Sequence, residues 1–207
     1  MRVNWRRFFF VFLLLESAFV FMGCTAAWLS AVASLLPALE TVVSAIISFV
    51  VALEGKTISP AVTATIKKIG SDIAAEIVNV QALIAAFQKS ASTGLLSQIQ
   101  AVFQAIVDNL GQILTAANIT DSSTIAKITQ LVGLAVAAAQ AIIALIPMAV
   151  SALQSKNRSV MEQEDKVATQ AIDNASKSLK ETYVAIVTQH TTNVDVNAAL
   201  DALPRSI

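Results

Sequence analysis

The sequence predicts an all-α protein, an up-and-down bundle of about four to five long helices that follow an N-terminal signal peptide. Apolar residues recur at steps of three and four over long segments, which is the period of amphipathic helices. Short polar loops separate these segments, as in antiparallel bundles. The 207 residues are 56% hydrophobic, which is enough for one sizeable core, and no strand-like alternation bounded by hairpin turns occurs.

Residues 1–23 have the composition of a secretory signal peptide. Met1 to Arg7 carries three arginines and no acid, an apolar run from Phe8 to Met22 follows, and Gly23 is a small residue before Cys24. We therefore expect an exported protein from which this segment is removed. Of the 14 basic and 14 acidic side chains, the segment holds three arginines and one glutamate, which leaves 11 and 13 in the mature chain.

The four residues Phe21-Met22-Gly23-Cys24 resemble the lipobox of bacterial lipoprotein precursors. The resemblance covers about the first 25 residues, and it implies that Cys24 is the lipidation site, carries palmitate or a similar acyl chain, and becomes the first residue after cleavage. It also implies a location in the bacterial cell envelope, lipid-anchored and facing the periplasm or the exterior. Thr25 is not the acidic retention signal of some lipoproteins, which favours the outer membrane.

Other interpretations of the N-terminus remain open. Residues 1–23 could be an uncleaved signal anchor or an ordinary signal peptide, and Arg6-Arg7-Phe8-Phe9 resembles a twin-arginine signal. An exported chain with a single cysteine forms no internal disulfide, so an unlipidated Cys24 would be an exposed thiol. Acylation would consume that thiol.

The predicted bundle domain is 24–190, and its first helix covers residues 27–53. This helix is nearly all apolar, with Glu40 as its only charge and Pro37 as an expected kink. A second helix begins near Pro60, because Ser59-Pro60 combines an N-cap with proline at the first helical position. Its apolar stripe consists of Ile66, Ile69, Ile73, Ile77, Val80, Ile84 and Phe87.

Three further helices follow in the predicted bundle. The third lies between the loops 90–94 and 118–121, and its apolar stripe consists of Leu96, Ile99, Phe103, Ile106, Leu110 and Ile113. The fourth is capped by Asp121 or Ser122 and extends from about Thr124 toward Ser155. The last helix covers residues 160–190 and is followed by a polar tail, 191–207, with a short helix around 195–203.

The last helix is predicted to be the most solvated one. Residues 156–207 carry 13 of the charged side chains, more per residue than the stretch before them. The apolar seam of this helix is narrow, and it consists of Ile172, Leu179, Tyr183 and Ile186. We therefore interpret helix 160–190 as the candidate surface for a protein partner.

The sequence offers little chemistry for catalysis, with one His, one Cys and one Tyr, so we expect neither an enzyme nor a cofactor. A di-iron bundle needs a glutamate three residues before a histidine, and Val187 stands at that position before His190, which predicts no metal site. Glu162, Glu164 and Asp165 are interpreted as charges that the helix dipole favours. The balanced net charge predicts no nucleic-acid partner.

The most unusual feature is a run of 28 residues without a charge between Lys127 and Lys156. That run exceeds the roughly 20 residues that cross a bilayer. Gly133, Ala137 and Ala141 stand at four-residue spacing within it, and small residues at this spacing let a second helix approach closely. These three residues are therefore a candidate helix-packing seam.

Two hypotheses for function follow from these patterns. In the first, the protein is a membrane-tethered lipoprotein that acts as a structural or interaction module, with its apolar helices inside the bundle. In the alternative, helices 27–53 and 128–155 insert into the bilayer as a homo-oligomeric pore or embedded subunit. Gln130, Gln140 and Glu40 favour the first hypothesis, because unpaired polar groups are costly in lipid.

Overall fold

The computed structural model describes residue 29 and residues 32–116, 119–154 and 158–207. Within these ranges 86% of residues are helical, with six helices and no strand, so the predicted all-α class is confirmed. Residues 1–23, which the sequence predicts to be a signal peptide, and Cys24 lie outside the described residues.

The long helices follow the predicted order, and their ends lie within a few residues of the predicted ones. The elements are α1 (Val32–Ala52), α2 (Pro60–Lys89), α3 (Thr93–Ala116), α4 (Ser122–Gln154), α5 (Arg158–Thr188) and α6 (Val194–Asp201). Helices α2 to α5 each pack against the next one along the chain. Because the connections are short, consecutive helices alternate in direction, as in an up-and-down bundle.

The core is a single apolar cluster to which all six helices contribute. The predicted stripes of α2 and α3 are confirmed, since every residue in them is buried. The predicted seam of α5 is confirmed in the same way at Ile172, Leu179, Tyr183 and Ile186. Helix α1 buries a wider face than these, which consists of Val32, Leu35, Leu36, Ala38, Leu39, Val42, Val43, Ala45, Ile46, Phe49 and Val50.

Two predicted helix caps are present. The hydroxyl of Ser59 accepts a hydrogen bond from the backbone N–H of Val62 at 3.4 Å, and Pro60 occupies the first position of α2. Asp121 Oδ1 accepts from the backbone N–H of Thr124 at 2.7 Å and so caps α4. Each cap satisfies a donor that would otherwise lack an intrahelical partner.

Helices α1 and α2 approach closely at Gly70. A Cβ placed on this residue would overlap the side chain of Ile47 on α1, so any larger residue here forces Ile47 to move. The apolar spacing of α2 does not identify Gly70 as a contact position, because its partner Ile47 lies 23 residues earlier in the chain.

Three connections meet at one end of the bundle, which we call the loop end (residues 53–59, 119–121 and 189–207). The hydroxyl oxygens of Thr57 and Thr124, the latter at the start of α4, lie 3.1 Å apart in a hydrogen bond, and Asn193 Nδ2 donates to Asp121 Oδ2 at 3.2 Å. The start of α1 lies at the opposite end, because α1 runs toward residues 53–59.

The C-terminal segment differs from the polar tail predicted for 191–207. A short helix is present as expected, but Val196, Ala199, Leu200 and Leu203 are buried in the common core. Their spacing places them on one side of α6, so the segment closes the loop end rather than extending from it.

Candidate functional site

The outer face of α4 bears the residues of the predicted packing seam. Gly133 and Ala137 are exposed and Ala141 is half-buried, while a Cβ at Gly133 would meet no atom within 4 Å. As a contact within one chain, the predicted seam is therefore wrong at Gly133. Four-residue spacing identifies one side of a helix, but it does not say which side the neighbour occupies. Ala135 and Ala139 face the core instead.

The two most apolar helices present small and polar residues to the outside. On α1 the exposed side chains are Ala33, Ser34, Pro37, Glu40, Ser44, Ser48, Val51 and Ala52. On α4 they are Ser122, Ile125, Ala126, Thr129, Gln130, Gly133, Ala137, Gln140, Ala144, Pro147, Ser151 and Gln154. The large apolar side chains of both helices are therefore directed mostly into the bundle, and the outer faces of α1 and α4 hold few of them.

Three helices in the described part of the chain are nevertheless long and apolar enough to cross a membrane. These are Val32–Ala52, Pro60–Lys89 and Ser122–Ser151, with mean hydropathies of 2.1, 1.3 and 2.2. About half of the most apolar stretch of the first and third is buried inside the bundle. Length and hydropathy alone therefore do not separate a lipid-facing helix from a core helix in this chain.

Two shallow grooves lie between neighbouring helices. One, of about 320 Å³, lies between α2 and α3 and is lined by Thr65, Lys68, Ile69, Asp72, Gln112, Thr115 and Ala116. The other, of about 190 Å³, lies between α4 and α5 and is lined by Leu134, Ala137, Ala138, Ala175, Ser178 and Leu179.

Lys127 is the most unusual charged group in the described part of the chain. Its side chain is only 3% exposed, and Nζ donates hydrogen bonds to the carbonyl oxygen of Ile186 at 3.1 Å and to Gln189 Oε1 at 3.5 Å. Burial lowers the pKa of Lys127, because desolvation disfavours the charged amine. The carbonyl end of α5 carries the negative end of the helix dipole and so stabilises the ammonium.

A polar network surrounds Asp121 at the loop end. Oδ1 accepts from the hydroxyl of Thr124 at 2.7 Å, in addition to the backbone N–H that caps α4, and Oδ2 accepts from Asn193. The side-chain and backbone hydrogen bonds from Thr124 lower the pKa of Asp121. The network thus joins the start of α4 to the α5–α6 connection, and Thr57 adds the α1–α2 connection through Thr124.

A second group of charges lies next to α6. Asp201 Oδ1 lies 3.2 Å from His190 Nε2 and 2.6 Å from Arg205 Nη2, and Arg205 Nη1 also donates to the carbonyl oxygen of Val187 at 3.4 Å. The hydrogen bonds from His190 and then from Arg205 lower the pKa of Asp201. His190 was predicted to complement the end of the last helix, and it stands two residues beyond the end of α5.

The acidic residues near the start of α5 do not form a metal-binding group with other ligands. Glu164 Oε1 accepts a hydrogen bond from the hydroxyl of Ser151 at 3.3 Å, which joins α5 to α4. No set of three or more His, Cys, Asp and Glu side chains is arranged to hold a metal ion among the residues that the structure describes.

The loop-end network and the burial of Lys127 were not predicted from the sequence. Lys127 is simply the last charge before an uncharged run in the sequence, and its partners are about 60 residues later. The chain matches no protein-family model, no curated protein and no solved structure.

Proposed function

We propose that this protein is an exported helical lipoprotein, tethered to a bacterial membrane through Cys24, that acts as a structural or interaction module in the aqueous compartment. One observation carries this proposal. The large apolar side chains of α1 and α4 are mostly directed into a shared core, while serine, glutamine, alanine and proline predominate on the outer faces of these helices.

The polar groups on these outer faces have a clear energetic preference for water. Glu40 on α1 and Gln130 and Gln140 on α4 are all exposed. In lipid, each would lose its hydrogen bonds to water, and a charged residue at the centre of a membrane helix costs about 2.5–3.5 kcal/mol or more. In water the same residues cost nothing, so the bundle is suited to an aqueous setting.

The tether gives the bundle an orientation. Cys24 precedes α1, and the start of α1 lies at the end of the bundle opposite the loop end. In a lipidated protein, that first end therefore faces the membrane and the loop end projects away from it. A partner in the aqueous compartment would meet the loop end and the charged outer side of α5.

The alternative function is a membrane-inserted oligomeric pore or embedded subunit. The observation in its favour is that three helices have the length and hydropathy of membrane spans. This function requires the bundle to open, so that the apolar side chains now in the core face lipid and the polar outer faces of α1 and α4 face one another or a water-filled channel.

Two measurements test the proposal. Fatty-acid labelling of the full chain in a bacterial host should give a labelled protein in wild type and none in Cys24→Ala, because this thiol is the acylation site that the lipobox offers. The mature chain with Cys24→Ser should be monodisperse without detergent. Equal labelling of both proteins would reject the tether, and a requirement for detergent would favour the pore.

A further inference from the structure

The C-terminal segment has the features of a detachable element, and we call residues 189–207 the C-terminal latch. Its helix, α6, has eight residues. A helix of this length is unstable by itself in water, so it depends on the burial of Val196, Leu200 and Leu203 against the core of the bundle. The first residue of α6, Val194, is 79% exposed, so only one side of the helix is docked.

The latch is internally bonded. Asn193 Oδ1 accepts from the backbone N–H groups of Asp195 at 3.0 Å and Val196 at 3.2 Å and so caps α6. The side chain of Asn197 accepts a hydrogen bond from the backbone N–H of Thr191 at 2.7 Å and donates one to the Thr191 carbonyl oxygen at 2.8 Å. These short-range bonds do not involve the rest of the protein, so they persist if the segment moves as a unit.

The polar ties between the latch and the bundle include one exposed ion pair and several part-buried hydrogen bonds. Lys56 Nζ lies 3.0 Å from Asp195 Oδ1 in an ion pair with both side chains about half exposed. Asn193 donates to Asp121 at 3.2 Å, and Arg205 donates to the Val187 carbonyl at 3.4 Å. Exposed ion pairs contribute little to stability, because water replaces their interactions at small cost.

Lys127 adds a reason for this end of the bundle to open. Its ammonium is desolvated, and the hydrogen bonds that it makes are to the Ile186 carbonyl and to Gln189, the first residue of the latch. A buried charge held by neutral oxygens retains much of its desolvation cost. Movement of Gln189 would admit water to the ammonium, and its rehydration offsets part of the cost of opening.

We infer that the C-terminal latch opens as a unit while α1–α5 stay folded, and that opening uncovers the apolar core surface beneath α6 and the amine of Lys127 at the end of the bundle. The fold therefore contains a closed and an open form of the loop end. Closure keeps Val196, Leu200 and Leu203 and the core surface beneath them away from water and from other proteins.

Hydrogen exchange on the full chain purified from membranes tests this device. Amides of residues 194–203 should exchange at least about tenfold faster than the core amides of α2 and α3, as expected for a local opening below the global unfolding free energy. Asn193→Ala should accelerate exchange in this segment further and leave α2 and α3 unchanged. Asn79→Ala, at an exposed asparagine of α2 that bonds only Glu76, is the matched control and should change neither region.

A second measurement compares how fast the amine of Lys127 is acylated in wild type and in the variant. An acylating reagent at low concentration should label Lys127 faster in Asn193→Ala than in wild type, with unchanged labelling of the exposed Lys68. If Asn193→Ala fails to fold, Asp195→Asn serves in its place with a smaller acceleration, because it removes both the ion pair to Lys56 and the acidic side chain of the first turn of α6. Exchange of residues 194–203 at the rate of the α2 core, accelerated everywhere together by either variant, would overturn the latch.

Discussion

The middle of the bundle and its loop end are held together by different means. In the middle, α2 and α3 bury apolar stripes whose members are three or four residues apart, so the buried face of each helix can be identified from its own sequence. At the loop end, polar contacts are added to the apolar ones, and they join residues far apart in sequence, 67 positions for Thr124 with Thr57 and 72 for Asn193 with Asp121. Local spacing therefore predicts the first region and says almost nothing about the second.

The largest expected effect is in the middle, at two adjacent positions of α2. Ile77 is 2% exposed and Val78 is 63% exposed. Ile77→Asp places an unpaired carboxylate in the core and should destabilise the protein by about 4 kcal/mol or more, which for many domains means unfolding. Val78→Asp makes the same chemical change in water and should alter stability by less than about 1 kcal/mol. Circular-dichroism melts of both variants make the comparison, and equal losses would mean that the α2 stripe is misassigned.

The next effect concerns two glycines in helices. Gly70→Ala should destabilise the protein by about 1 kcal/mol, because the new methyl group overlaps Ile47 and forces that side chain out of its present rotamer. Gly133→Ala should stabilise it by about 0.5–1 kcal/mol, because alanine has the better helix propensity and the position is open. Denaturant unfolding measures both. Destabilisation by Gly133→Ala would restore the close-packed seam that the sequence predicted.

These two glycines show which contacts can be predicted from the sequence and which cannot. The caps at Ser59 and Asp121 and the stripes of α2, α3 and α5 could be predicted, because each depends on residues within a few positions of one another. Gly70, Lys127 and the docking of α6 could not, because each depends on a contact with a distant element. At Gly133 no neighbour from the described part of the same chain is present. Spacing gives the side of a helix and not its neighbour, and the seam as a contact with a second copy stays a prediction.

The burial of Lys127 at the loop end predicts how the stability of the protein changes at alkaline pH. Its pKa in the folded protein lies below the ordinary 10.5, so between these two values the unfolded chain binds more protons and stability rises with pH. Burial raises the pKa of Tyr183 above 10.0, so that group has the opposite effect above about pH 10. We expect a rise in unfolding free energy below pH 10 in wild type that is reduced in Lys127→Met. The test is urea unfolding at several pH values, and identical slopes would mean that Lys127 is hydrated.

The smallest expected effect is at acid pH. The pKa values of Asp121 and Asp201 are lowered from 3.8 in the folded protein, so their contribution is present above about pH 4 and is lost as the pH falls through the folded values. Asp121→Asn should therefore be less stable than wild type at neutral pH, and the difference should shrink in acid. Asp108→Asn, at an exposed carboxylate of α3 that bonds Gln104, is the control. A difference that is constant with pH would show that the charge of Asp121 does not support the network.

The central claim, that the apolar helices form a bundle in water, is tested most directly by the accessibility of two positions on α4. Ala144 lies on the outer face and Ala139 is fully buried. Cysteines introduced one at a time at these positions in the full chain, expressed in a bacterial host, can be treated with a membrane-impermeant maleimide, before and after denaturation. We predict rapid labelling of Ala144→Cys in the native protein and labelling of Ala139→Cys only after denaturation. Protection of Ala144→Cys by lipid, together with native labelling of Ala139→Cys, would contradict the bundle and support a membrane pore.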